Sequence, residues 1–354
     1  MVDLQQMNEA LRPVAPPRIL ERVYTDDQHA RMLDVIQRHG PWPTITAHHF
    51  DTVEELVATT SGPMREGEGG AALTLDDVAT GHFRGYFGKS SVCFHPELED
   101  CFYNGEFLAL AREYWGAQYA KPTHMLFNLC GPHHTGRSPH VDAVTFRGVR
   151  IESSPVWLQN VMGKSGLFAD HLVKMAQVIT WWYLGENGTF TYWPDGPLGE
   201  PQHLDHPLWN KGVVVQNEAM FHRGDPVGRP DERDLPGLKH RSLLGYDAAR
   251  GEWAITTDGE VIRRYQPHEM RLLVHWNAEV YADMDEVEKN MDHSDDLTHD
   301  VVFDRLLADM RAQGVDVAEP SDPMHDSDFI RALIATYTIA PVTDWLVPVA
   351  GGVS

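Results

Sequence analysis

The sequence predicts a mainly β core flanked by helices, and three observations carry that expectation. From Thr123 to Tyr281 the 354-residue chain runs through short segments rich in aromatic and β-branched residues, separated by Gly, Pro and Asn. Before that stretch, and again after Tyr281, apolar residues recur at helical spacing. Short strands at regular spacing build a sandwich or barrel, because each can bury one face only against a second layer.

Taken in order, the first twenty residues are interrupted by Pro and read as loosely attached. Thr25-Asp26-Asp27 then offers a cap and first-turn acids, Met32, Leu33 and Ile36 follow on one face, and Gly40 ends the helix. Ser61 to Gly70 (SGPMREGEGG) has the composition of a loop or disordered segment. Asn104 to Gly116 has a cap, apolar Phe107, Leu108, Ala111, Tyr114 and Trp115, and a terminal Gly, so it reads as the clearest helix of the first third. Residues 1–122 are therefore expected to be a helical region packed on the core. Strands are predicted at HMLFNLC, VWLQNVM, VITWWYL, TFTYW, GVVVQ, AMFHR, SLLGY, EWAITT, EVIRRY and RLLVHWNAEVY, which places the core at 123–282, with one interrupting helix at Ser165 to Gln177. Residues 283–354 read as helical again, with amphipathic segments at Thr298 to Gly314 and Asp326 to Tyr337. The three parts are expected to form one compact domain, and no internal repeat is visible.

Composition narrows the function classes. With 29 basic against 52 acidic residues the formal charge is −23, which repels nucleic acid and anionic membrane surfaces. A small molecule is the expected partner. No apolar run reaches membrane-spanning length, and MVDLQQMNEALRPVAPP lacks the basic flank and apolar centre of a signal peptide, so a cytoplasmic location is expected. Cys93, Cys101 and Cys130 lack C-x-x-C spacing and read as small buried hydrophobes rather than a disulfide framework or thiolate zinc site.

The chemistry concentrates at Ser138 to Asp142 (SPHVD), where His140 and Asp142 stand two residues apart at a strand end, and at AMFHRG, which adds His222. Two imidazoles and one carboxylate in the order H-x-D…H can take one face of an octahedral Fe(II) and leave three positions open, an arrangement suited to oxygenation. The pattern H-x-D also occurs at His49/Asp51, His203/Asp205 and His293/Asp295, but only His140 sits between two predicted strands. Lys164 in MGKSG does not complete a phosphate loop, since Leu158 stands where the upstream Gly is required, and reads as a turn before a helix. His133 and His134 are adjacent and would point to opposite faces of an extended chain. Trp181, Trp182, Tyr183, Tyr192 and Trp193 are read mainly as core packing.

Together, SPHVD, the helix-flanked strands and AMFHRG resemble the Fe(II)/2-oxoglutarate-dependent dioxygenases, nearest to their phytanoyl-CoA dioxygenase-like branch, over roughly Thr123 to Tyr281. The resemblance implies a double-stranded β-helix, the jelly roll also seen in cupin-like proteins. It places GVVVQ as the sixth core strand and AMFHRG as the seventh, and carries the metal-ligand role to His140, Asp142 and His222. It also implies a basic residue, usually an Arg on the last core strand, for the far carboxylate of 2-oxoglutarate. Arg271, opening the final strand, is favoured but requires an inserted hairpin; Arg241 is the other choice. Neither is followed by the R-x-S pattern common in the family.

The resemblance thus implies an enzyme that uses Fe(II), 2-oxoglutarate and molecular oxygen to oxidise an unactivated C–H bond of a small molecule. Hydroxylation is the default outcome, with desaturation or cyclisation open to the same residues. A metal-dependent hydrolase, with zinc held by the two imidazoles and the carboxylate, stays open, although no H-E-x-x-H is present, as does a non-catalytic jelly-roll binding protein. Substrate-pocket residues are expected from Pro194 to Asn210 and Asp225 to His240.

Overall fold

In the computed structural model the described residues are 4–60, 73–134, 139–337, 339 and 341. The predicted loop at 61–70 and Ser138 of the SPHVD stretch lie outside them. The longest strands form the centre of a seven-stranded antiparallel sheet: β14 (Arg271–Tyr281) lies between β5 (Tyr119–Cys130) and β6 (Lys174–Tyr183). Beyond β6 come β9 (Leu208–Val215) and β1 (Arg18–Leu20); beyond β5 come β3 (Phe83–Lys89) and β4 (Val92–Cys93).

Period-two alternation gives this sheet two apolar faces. Leu272, Val274, Trp276, Ala278 and Val280 share one face with Met125, Phe127, Ala176 and Val178, in a core closed by α2 (Asp26–His39) and α5 (Gly105–Trp115). The Trp276 indole N–H donates to Phe102 O at 2.7 Å, in the short helix α4 (Glu99–Phe102), so its polar end is satisfied while the ring is buried. On the opposite face Leu273, Ile179, Trp181, Val213 and Val215 meet Phe190, Tyr192 and Leu204 of a three-stranded sheet. That sheet has the order β10 (His222–Gly224), β7 (Phe190–Tyr192), β8 (Gln202–Leu204). Residues on β14 with the same parity as Leu273, namely Arg271, His275 and Asn277, therefore face the space between the two sheets.

A third sheet, in the order β13 (Glu260–Tyr265), β12 (Glu252–Thr257), β11 (Leu243–Asp247), β2 (Trp42–Pro43), occupies the chain between β10 and β14. It is the insertion that the favoured position of Arg271 requires. A second core joins α6 (Val156–Ser165) to α8 (His299–Ala312) and α9 (Ser327–Thr336) through Trp157, Leu158, Phe303, Leu306, Phe329 and Leu333. The remaining described helices are α1 (Leu4–Ala10), α3 (Val53–Thr60) and α7 (Met284–Asp292).

The caps read from the sequence are present: Thr25 closes a capping box with Gln28, Asn104 accepts from Glu106 N and Phe107 N, and Gly116 takes the left-handed conformation. Two assignments exchange places. VWLQNVM is helical, and the segment expected as a helix at 165–177 is instead a short 3₁₀ turn and the start of β6. Trp157, Leu158, Val161 and Met162 are apolar at helical as well as strand spacing, and burial on both sides hides the period. Lys164 consequently sits in the last turn of α6, not before a helix. Residues 1–122 also supply β1, β3 and β4 to the major sheet, and β5 begins at Tyr119. Among the described residues no helix is long and apolar enough to cross a membrane.

Candidate metal centre

The loop that carries His140 is fixed before its side chains do any chemistry. His140 and His222 exchange backbone hydrogen bonds, with N–H to O distances of 3.0 and 2.9 Å, and Asp142 N donates to Asn217 O at 3.0 Å. From the other side Asn160 Nδ2 of α6 donates to Val141 O at 3.2 Å. The helix that the sequence disguised as a strand is thus one of the clamps on the site.

These contacts bring His140, Asp142 and His222 together. One ligand atom from each lies within 4.8 Å of the others, and the two imidazoles are buried. His222 Nδ1–H donates to Met220 O at 3.0 Å, which fixes the tautomer and leaves Nε2 as the donor to a metal. Nε2 lies 3.7 Å from Asp142 Oδ1 and meanwhile accepts from Asn217 Nδ2 at 3.3 Å. The Asn217 loop is held in turn by Gln177 of β6, whose Oε1 accepts from Asn217 N at 2.8 Å and whose amide donates to Glu218 Oε1.

The donor set fits a divalent ion. Asp142 Oδ2 is buried and has no hydrogen-bond partner among the described residues, nor has Asn217 Oδ1. Buried acceptors left this way cost free energy unless something absent completes them. Burial would raise the Asp142 pKa, but the facing imidazoles of His222, His275 and His140, with Arg84, hold the carboxyl well below the usual range. Asp142 therefore stays anionic. Glu218 differs: burial pushes it up to about 8, against the Gln177 hydrogen bond, so it is mostly the neutral acid at pH 7.

His140 and Asp142 of the triad line a cavity of about 700 Å³, counting the space open to solvent. Its polar wall includes Arg84, His124, Gln159, Glu218, His275 and Asn277; its apolar wall includes Phe50, Ile151, Val156 and Met175. No cavity-lining residue comes from 194–210 or 225–240, the segments the sequence pointed to, because those loops lie elsewhere on the molecule. His49, from one of the competing H-x-D pairs, does line it, as a partner of Arg84. Burial lowers His275 to about 4 and His124 to about 3, so both are neutral near pH 7.

Arg271 and Arg241 differ plainly. Arg241 is exposed in the turn before β11, whereas Arg271 is 3% exposed on the inward face of β14. Arg271 Nε donates to Gly188 O at 2.8 Å, and its Nη2 has no partner among the described residues. Leu273 stands between it and His275 on that face, and Arg271 is not part of the cavity wall. Beyond it, His82, Cys130 and His133 bring three ligand-type atoms together. That group is a hydrogen-bonded network: His133 Nδ1–H donates to Gly131 O and His133 Nε2 accepts from His82 at 3.1 Å. Burial keeps Cys130 protonated, and the neighbouring Arg271 charge opposes a cation there. His134, one residue on from His133, points to the surface and meets Asp234, as strand alternation requires.

No family model matches the chain, and no curated protein matches it. Solved structures are similar in part, among them the following three. A 2OG-Fe(II) oxygenase family oxidoreductase from Burkholderia pseudomallei is 11% identical, with a TM-score of 0.35 over 79% of this chain and 94% of that one. A prolyl-4-hydroxylase from Pseudomonas putida is 9% identical, with a TM-score of 0.36 over 75% and 94%. A prolyl 4-hydroxylase from Phytophthora capsici is 12% identical, with a TM-score of 0.27 over 72% and 77%. Likeness at this level assigns neither family nor activity, so function is argued from the residues.

Proposed function

We propose that this protein is an Fe(II)- and 2-oxoglutarate-dependent oxygenase that oxidises a C–H bond of a small molecule. The observation that carries the reading is the convergence of His140, Asp142 and His222 on one point at the mouth of a cavity, with Asp142 Oδ2 buried and unpartnered. The antiparallel strands around that point support a double-stranded β-helix, with β9, β10 and β14 as its sixth, seventh and eighth strands; the nearest pattern is the phytanoyl-CoA dioxygenase-like one.

In this reading His140, Asp142 and His222 hold Fe(II), which together with 2-oxoglutarate and oxygen supplies the oxidant for the substrate C–H bond. The chain supplies position and shelter. Met220 O orients the His222 ring, and Gln177 holds the Asn217–Glu218 turn behind it. Trp181, Phe190 and Tyr192 keep water from the interior side. Arg271 is the proposed anchor for the far carboxylate of 2-oxoglutarate: it is a buried guanidinium that forms no ion pair and whose Nη2 has no hydrogen-bond partner among the described residues, and leaving a buried charge unpaired costs several kcal/mol.

The test is anaerobic binding of 2-oxoglutarate with and without Fe(II), followed by succinate release in air against a metabolite panel. Metal-dependent binding is expected. A protein that binds no 2-oxoglutarate, or that hydrolyses esters with zinc alone, is not this oxygenase.

A further inference from the structure

The metal cavity contains a cation that the oxygenase reading does not use. Arg84 lies on β3, a strand the sequence did not reveal, and its neighbours in register place it at the cavity. Arg84 pairs with Asn128, and Tyr86, on the same face, pairs with Leu126, which is beside His275. Asn128 Oδ1 accepts from Arg84 Nε at 2.8 Å and His49 Nε2 accepts from Nη1 at 2.9 Å. Both partners are neutral acceptors that fix the plane of the guanidinium, and the one carboxylate whose charge it feels is that of Asp142, which the metal would claim. No carboxylate forms an ion pair with Arg84 among the described residues. The two acids of the cavity wall are engaged otherwise, Asp142 in the triad and Glu218 with Gln177. A half-buried guanidinium oriented in this way, in a cavity that reaches the metal ligands, is a receptor for a planar oxyanion.

We infer that Arg84 binds the carboxylate of the primary substrate, so that the substrate is an organic acid whose apolar body lies along Phe50, Ile151, Val156 and Met175. The inference rests on the oxygenase reading for the reacting centre and adds the substrate class. Arg84 lies two strands away from β14, the strand that carries Arg271, so the two guanidinium groups serve two different anions. One holds the cosubstrate, and the other aims the substrate at the triad.

The experiment uses the full chain loaded with Mn(II) and saturated with 2-oxoglutarate without oxygen. The probes are 3-phenylpropionate and its neutral counterpart 3-phenylpropanamide, with affinities read by calorimetry or ligand-observed NMR. The wild-type protein is expected to bind the acid at least about tenfold more tightly than the amide, the size of one charge-assisted hydrogen-bonded contact. Arg84→Gln should remove that ratio with Mn(II) content and 2-oxoglutarate affinity unchanged, and Arg84→Lys should keep part of it. Equal wild-type affinities for acid and amide overturn the inference, as does a preference that survives in Arg84→Gln. Loss of 2-oxoglutarate binding in that variant overturns it too, and makes Arg84 the cosubstrate anchor. Should Arg84→Gln fail to fold by circular dichroism, the wild-type pair and Arg84→Lys still decide. An Arg84-dependent preference for the acid without any 2-oxoglutarate binding sinks the oxygenase reading and leaves the anion site standing. Metal-dependent 2-oxoglutarate binding without that preference does the opposite.

Discussion

His275 Nε2 lies 3.9 Å from Asp142 Oδ2, and neither buried atom has a hydrogen-bond partner among the described residues. Asp142 Oδ1 meanwhile faces His222 Nε2. If Oδ1 takes the metal, a small turn of either group brings Oδ2 within hydrogen-bond reach of His275 Nε2, which would make His275 a partner from outside the ligand set. Removing such a partner usually lowers metal affinity about 10–100-fold. His275→Phe should weaken Mn(II) binding by that amount in a calorimetric titration, with one site retained. Unchanged affinity would show that the two atoms do not communicate through the ion.

Asp142→Ala should act more severely, because it takes away the only anionic member of the triad. Bound Mn(II) or Fe(II) measured by elemental analysis is expected to fall from about one ion per chain to near zero. The melting curve of the metal-free variant should stay cooperative, since the loop remains clamped by the His140–His222 backbone bonds and by Asn160. A variant that keeps its full metal content would remove Asp142 from the site.

Arg271 and Arg241 give opposite expectations. Arg271→Met should weaken 2-oxoglutarate binding by roughly 2–4 kcal/mol, the cost of losing one member of a buried charged pair. Arg241→Ala, at an exposed turn, should leave it unchanged. Isothermal titration of the two metal-loaded variants separates them, and equal losses would deny Arg271 the role.

What could be read from the sequence follows where the local signal was unmixed. His140, Asp142 and His222 were picked out by residue type and order alone; the strand end expected at His140 is instead a loop, which a single bridge to His222 and bonds to Asn217 and Asn160 hold in place. Caps at Thr25, Asn104 and Gly116 were legible because capping is local. The α6 helix and the start of β6 were exchanged because residues buried on both sides show no period. Arg84 and Gln177 were missed because only long-range strand pairing brings them to the site. FRGYFGK gave no strand signal, since Phe83, Tyr86 and Phe87 do not alternate and two glycines interrupt them.

Gly148 tests the strap between the metal loop and the C-terminal helices. Its φ is +85°, and an added Cβ would lie 2.2 Å from Leu297 O, a backbone atom that cannot turn aside. The same strap is held by Leu297 N donating to Arg147 O at 3.0 Å and by Arg147 pairing with Asp295 at 2.8 Å. Gly148→Ala should therefore cost about 2 kcal/mol or more in urea unfolding. Gly116→Ala is the control: its φ is +62° with nothing within 4 Å, so only the conformational cost of about 1 kcal/mol applies. Equal losses would show that the contact with Leu297 does not matter.

Lys164 ties α6 to α3 and should leave a signature in the pH dependence of stability. Its ammonium is buried and donates to Ala58 O at 2.8 Å and Thr59 O at 3.3 Å, with no carboxylate beside it among the described residues. Burial lowers its pKa from 10.5 to about 7. Below pH 7 the folded and unfolded states are both protonated, and the cost of burying the charge is carried in full. Between pH 7 and about 10 the unfolded chain holds a proton that the folded one has released, so stability rises with pH, by at most about 1.4 kcal/mol per unit for one group. Lys164→Met keeps the apolar stem and has no such proton. Urea unfolding of both proteins at pH 7 and pH 9 should therefore show the wild type gaining on the variant by about 2 kcal/mol over that interval. All other titrations cancel in the comparison. A difference between the two proteins that does not change with pH would mean that Lys164 stays charged in the fold.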